Sequence, residues 1–439
     1  MPPSLLAQRV LVSLTPNGTQ GILQILDGLR DIRNNVPNTI AQFQISGFSA
    51  GNPTQIINYP EQSRGYVYSD AAPSYSLIAI NYGTETTQGA VGTFPGRSSS
   101  IATASDGRLV FSAEEVNGQL VVFDNTLGRA FTLNLPGVYR VASNQGDTIA
   151  LAMVRNSDAL YRVVKLNLGS SNPPGSVDCQ PTVLPVYCVV PVAGKFDRPA
   201  NAIYSADGSQ VYVLNCGQEC GGGANGGAGV SFLPQGALTI DVIPTSLPYP
   251  TLVANTVAIP GGATVGLSDG VTLYLAGQQQ QPDGLFSGRL TRLTLANLAV
   301  SDAVPVSDGL HTKMLFADDN TLWIGSQRCA TGERFKTGQN YNCLTRYDRT
   351  ANTASIVPAV NPQDASQVPY PNQDNNLKYY GSLTGLCWVQ TYHKVYTAYG
   401  GQVHAFRTVD GSEINNSNIT VQGTALDVAY MDAITNEAN

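Results

Sequence analysis

Residues 198–217, RPANAIYSADGSQVYVLNCG, decide the fold. Ala200, Ala202 and Tyr204 alternate with Asn201, Ile203 and Ser205, the period of a strand with two different faces. Asp207-Gly208-Ser209 supplies a turn, because Gly tolerates positive φ and Asp bonds its own backbone. Val211 to Leu214 follow as the β-branched and aromatic residues that strands favour. The stretch reads as two short strands and a turn, and versions of it recur along the chain.

In each unit the pattern is an inner strand, a turn, a second strand, a polar turn, a third strand and a looser fourth. The third unit shows it most cleanly. It runs Ser99-Ile101-Thr103, turn Asp106-Gly107, Leu109 to Phe111, turn Asn117-Gly118, Leu120 to Phe123, then Ala130 to Leu135. The first unit, 9–14, 21–27 and 39–45, gives three strands only. A spare inner-type strand, Thr424 to Met431, stands at the other end. Inner strands near 54, 98, 138, 199, 262, 310, 383 and 424 make eight units. The reading is all-β: a single β-propeller over residues 1–439, with irregular tails at 1–8 and 432–439. Its ring closes when the C-terminal strand completes the N-terminal blade, which also removes exposed sheet edges. Eight units in 439 residues average about 55 each, above the 40–50 of compact blades, and insertions account for the excess. A ring of seven blades, with two weak units merged, is the alternative.

The insertions are legible. Gly221 to Gly229 reads as a flexible glycine loop, Gln278 to Gly288 as a polar loop, and 361–378 as a long surface loop. Asp318-Asp319-Asn320 falls where other units carry Asp-Gly, so it reads as a turn rather than a calcium site. An EF-hand loop would need alternating ligands and a twelfth-position Glu. Asn17, Asn415 and Asn418 open N-x-S/T triplets.

Charge and cysteine usage narrow the setting. Only 13% of residues are charged and the net charge is −7, which disfavours non-specific nucleic-acid binding. No run of 18 apolar residues occurs. Six of the seven cysteines form local pairs, Cys179 with Cys188, Cys216 with Cys220, and Cys329 with Cys343. Six cysteines allow 15 pairings, and the local one suits an oxidising, extracytoplasmic compartment. On loop length each bridge is worth ~2–3 kcal/mol. Cys387 lies in an apolar run and is expected to be a buried free thiol. Zinc would need four close ligands, and the three histidines lie away from these pairs. No metal or cofactor is expected. Met1-Pro2-Pro3-Ser4 shows no secretory signal.

The unit resembles the YVTN-type bacterial propeller repeat, related to the lactonase-like propellers. The residues carrying the resemblance are 204–209 (YSADGS) with 211–215 (VYVLN), echoed at 103–108 (TASDGR) with 109–111 (LVF). Leu214 stands where the family has Thr, and most units lack the Asn. The resemblance implies the propeller fold and an extracytoplasmic setting, and little about activity, because propellers host many functions.

No G-x-S-x-G, H-E-x-x-H, C-x-x-C-H or phosphate-loop motif occurs. The candidate site is instead the channel mouth, where loops precede the inner strands. Arg97 and Arg198 hold the same position in two units, and His311 falls within one residue of it in a third. Together they would suit an anionic or carbohydrate-like group. Solvated loop charge is the plainer account of all three. The functional expectation is a binding or scaffold module at the cell surface or in an extracellular assembly, with a protein or carbohydrate-like partner at the channel mouth. A propeller enzyme of the lactonase or polysaccharide-lyase sort, and a self-assembling subunit of an extracellular polymer, are the alternatives.

Overall fold

Thr424–Tyr430 pairs antiparallel with Arg9–Thr15, with Val10 opposite Tyr430 and Val12 opposite Val428. Arg9–Thr15 pairs on its other side with Ile22–Asp27, so one sheet joins the two ends of the chain. The computed structural model describes residues 3–33, 43–167, 170–181, 185–329, 342–358, 381–414 and 419–436. It shows eight such sheets, each the blade of a ring. The chain is an eight-bladed β-propeller.

Blade 1 is the closing sheet. The inner strands of blades 2 to 8 are Pro53–Tyr59, Ser100–Thr103, Val138–Ser143, Pro199–Tyr204, Val265–Ser268, Leu310–Ala317 and Leu383–Val389. Blade 1 has the expected fourth element at its edge: the Ile25 amide donates to the Phe43 carbonyl and the Ile45 amide to the Leu23 carbonyl. The remainder of the expected 39–45 strand lies outside the described residues.

Each blade buries both of its faces. The described core accordingly divides into apolar clusters between neighbouring blades. Val10, Val12, Tyr396 and Val428 fill the joint between blades 8 and 1. Leu11, Ile25, Ile56 and Val67 fill that between blades 1 and 2, and a comparable cluster occupies each further joint. Second strands are therefore buried throughout, as at Leu109–Glu114 and Lys394–Tyr399. Their sequences read as near-continuous apolar runs because no face meets water.

Two insertions differ from their sequence reading, and a third segment adds a strand of its own. The Cys179–Cys188 loop adds a fifth strand, Asp178–Gln180, which sets Cys179 directly opposite Cys188. The polar segment from Gln278 is mostly hairpin. Thr272–Gln280 pairs with Phe286–Thr294 over nine residues each, leaving only 281–285 as the turn. The glycine run is bound rather than loose. Its amides at Gly223, Asn225 and Gly227 donate to the buried Asp197 carboxylate at 2.8–3.1 Å. These bonds hold the Asp197 carboxyl below its usual range. Glycine content reports backbone freedom, and that freedom serves here to wrap a carboxylate.

Asp318-Asp319-Asn320 is a turn, with Asp318 accepting from the Trp388 indole and the His393 amide. The 361–378 loop, Asn415 and Asn418 lie outside the described residues.

The three disulfides join Cys179–Cys188, Cys216–Cys220 and Cys329–Cys343, and Cys387 is a buried free thiol. Burial pushes its pKa up, which keeps it from forming thiolate. Iodoacetamide should label no cysteine in native protein and Cys387 alone after denaturation without reductant. Two or more labelled sites in the unfolded protein would contradict the pairing.

Candidate functional site: the axial cavity

Six of the eight inner strands carry the same irregularity. Their pairing to the second strand skips one residue near the start: Thr54, Tyr139, Ala200, Thr312, Thr384 and Leu426. A bulge re-aims the side chain it releases. Five of these residues, all but Leu426, line a cavity of about 780 Å³ on the ring axis. Every blade contributes to the wall. Gln55, Ser100, Arg140, Arg198, Thr264, His311, Lys313, Thr384 and Asp427 stand among the lining residues.

The charged groups differ in how they are compensated. Lys313 of blade 7 reaches Asp427 of blade 1 at 3.2 Å, across blade 8. Arg155 pairs with Glu115 and covers the Tyr139 ring at 4.5 Å. Arg198 contacts Asp158 at 3.4 Å and the Gly221 carbonyl at 3.3 Å, while its buried Nε has no partner. Arg140 donates through Nε to Asn201 Oδ1 at 3.1 Å. No carboxylate among the described residues pairs with it.

The structure separates the three residues marked in the sequence. Arg198 and His311 belong to the cavity wall. Arg97 is two-thirds exposed, pairs with Asp70 at 2.7 Å, and is not part of the wall. His311 is the second residue of its strand and is fully buried, not a solvated loop group. Its Nε2 donates to the Ser307 carbonyl at 2.8 Å. Burial lowers its pKa to about 4, so the ring is neutral and Nδ1 is a bare acceptor without a partner. Arg140, Lys313 and Asp427 were missed by sequence reasoning. The available signal was a charged residue inside an inner strand: these three share the position after the bulge with Gln55, Asn201 and Gly385.

Glu219, inside the Cys216–Cys220 loop, reaches the cavity from blade 5 and docks on blade 6. It accepts from the Gln278 amide at 2.7 Å and the Gln278 side chain at 3.2 Å. A Cβ on Gly262 or Gly277 would lie 2.1 or 2.9 Å from Glu219 Oε2, so this slot requires glycine. Burial raises the Glu219 pKa to about 7 from an ordinary 4.5. Between those values the folded protein keeps a proton that the unfolded chain releases. Stability from this group is therefore full below 4.5 and is lost as pH rises through 7, by up to about 3 kcal/mol. His311 acts oppositely: its contribution is full above 6.5 and is lost as pH falls through 4. Glu219→Gln should remove this group's share of the loss; Asp147, also raised to about 7 by burial, keeps its own, so the variant's melting temperature should rise relative to the wild type's between pH 4.5 and 7. Melting curves of both proteins across this range test it. Parallel pH profiles would contradict the assignment.

No protein-family model matches the chain, and no curated protein matches its sequence. Solved structures do match. The dihydro-heme d1 dehydrogenase NirN, in complex with DHE, aligns with 97% of this chain and 75% of its own at 13% identity and a TM-score of 0.53. AztD from Citrobacter koseri covers 96% and 97% at 11% identity and 0.49. A protein from Bacteroides uniformis, provisionally assigned as a 6-phosphogluconolactonase, covers 80% and 95% at 13% and 0.46. At these identities the likeness is one of fold, and the NirN match, with a TM-score above 0.5, supports it.

Proposed function

We propose that this chain is an extracytoplasmic binding module whose receptor site is the axial cavity. The observation that carries the reading is the wall itself, to which all eight blades contribute and at which five bulges direct side chains inward. Concave sites with a few convergent polar groups are where small ligands bind. The extracytoplasmic setting is supported by the three disulfides. Arg198 and His311 are proposed to contact the ligand, the histidine through Nδ1 as acceptor. Arg97 is proposed to act at the rim, where its exposed guanidinium meets an approaching partner.

Replacing Thr384 by Trp would project an indole into the cavity from blade 8 and obstruct it. In a thermal-shift screen of small polar metabolites, compounds that stabilise the wild type should lose at least tenfold in affinity in this variant. Arg198→Ala should weaken the same compounds. Hits that bind T384W and wild type alike would overturn the reading.

A further inference from the structure

Arg140 is a cation placed where the rest of the wall offers it no counter-charge. It extends from the inner strand of blade 4, one residue past the Tyr139 bulge. The surface it retains faces the cavity. Its Nε is held by Asn201, and its two Nη groups meet no partner among the described residues. Every other cation of this wall has a carboxylate: Asp158 for Arg198, Glu115 for Arg155, Asp427 for Lys313. The half-buried Arg140 guanidinium has given up part of its hydration with no ion pair to offset the loss. Burial pulls its pKa below the ordinary arginine value, opposed by the neighbouring Tyr139 phenol and by no carboxylate.

Three wall residues carry buried polar atoms with no partner, Arg198 Nε, His311 Nδ1 and Thr312 Oγ1. The remaining polar lining is rich in hydroxyls, from Thr54, Ser99, Ser100, Thr264 and Thr384. From these observations we infer that the axial cavity binds a small hydroxyl-bearing monoanion, its carboxylate seated on the Arg140 Nη fork. The inference rests on the proposed function above and specifies its ligand. One charge is indicated because one cation lacks compensation. A second negative charge would have no cation left to meet and would face Asp427. A carboxylate fits because the free edge of the guanidinium is a planar pair of donors. Hydroxyls on the ligand would meet those of the wall and the acceptor at His311.

The test uses three probes on the full chain: glucuronate, glucose and citrate. They represent a hydroxylated monoanion, its neutral counterpart and a multiply charged acid. Titration calorimetry should show glucuronate binding the wild type at least tenfold more tightly than glucose or citrate. Arg140→Met should lose at least tenfold in glucuronate affinity, and Arg140→Lys, which keeps the charge without the fork, should lose less. In buffer without these probes, R140M should melt at or above the wild-type temperature, because a half-buried charge without a counter-ion has been removed.

Three results would overturn the inference: R140M that unfolds or melts several degrees lower, making Arg140 a strut to Asn201; R140M that binds glucuronate undiminished; or a wild type indifferent to glucuronate at millimolar concentration. Thr384→Trp separates this from failure of the broader reading. Glucose binding as well as glucuronate, with T384W blocking both, overturns the anion seat and leaves the cavity as the site. Binding that T384W leaves intact overturns both.

Discussion

A chain ending at Gln422 is expected not to fold. Removal of residues 423–439 takes away the inner strand of blade 1, and with it both ends of the ring. Val428 and Tyr430 pack in the joint between blades 8 and 1, and Ala429 and Met431 in that between blades 1 and 2. At ~1.5–3 kcal/mol for each large buried side chain, the apolar loss alone approaches 10 kcal/mol. That is the whole net stability of an ordinary domain, about 5–15 kcal/mol. The deletion also strands Arg9, whose guanidinium is shared between Asp432 at 2.5 Å and Glu85 at 3.0 Å. Glu85 in turn binds Ser4, so the N-terminal segment would come loose with the C-terminal strand. Circular dichroism and limited proteolysis would show loss of the cooperative transition. A synthetic peptide of residues 423–436 added during refolding should restore part of it. A truncated chain melting cooperatively within a few degrees of the intact protein would show that the blades hold without closure.

This closure was legible because strands carry their own count. The first unit lacked an inner strand and the last supplied one, and the register of Arg9–Thr15 with Thr424–Tyr430 joins them. The disulfides were legible for a related reason, since each pair spans a turn of 14 residues or fewer. What the sequence concealed is geometry that no residue type announces. The bulges at Thr54, Tyr139, Ala200, Thr312 and Thr384 fall on dissimilar residues, so composition does not mark them. They determine which side chains reach the axis. Counting positions from the Asp-Gly turn gave Arg97 and Arg198 equal standing. The structure gives Arg97 to Asp70 and leaves Arg198 at the wall. The glycine run and the Gln-rich segment were misread because polar, flexible composition is also what a tight carboxylate wrap and a long exposed hairpin require.

Asp427→Ala should be among the most damaging single substitutions in the molecule. Its carboxylate is fully buried and joins three blades. Oδ1 takes Lys313 Nζ of blade 7 at 3.2 Å, and Oδ2 takes the Ile56 amide of blade 2 at 2.9 Å. Blade 8 lies between, and it makes room with Gly385, where a Cβ would approach Asp427 Oδ1 and the Val428 amide at 2.6 Å. Removing the carboxylate leaves the buried Ile56 amide without a partner and the Lys313 ammonium, 29% exposed at the cavity, without its counter-charge, which together cost about 3–5 kcal/mol. For 439 residues the entropy of unfolding is roughly 0.9 kcal/mol/K, so the melting temperature should fall by about 3–5 °C. Asp427→Asn keeps an acceptor for Ile56 and should lose less. Adding Lys313→Met to Asp427→Asn should recover part of that loss, because the lysine then no longer lacks its partner. Gly385→Ala should lower the melting temperature by a route independent of charge. Denaturant melts of Asp427→Asn, Lys313→Met and the double variant against the wild type would give the coupling energy between Lys313 and Asp427. A coupling near zero, or an Asp427→Ala variant as stable as the wild type, would mean that the three-blade carboxylate contributes nothing to holding the ring.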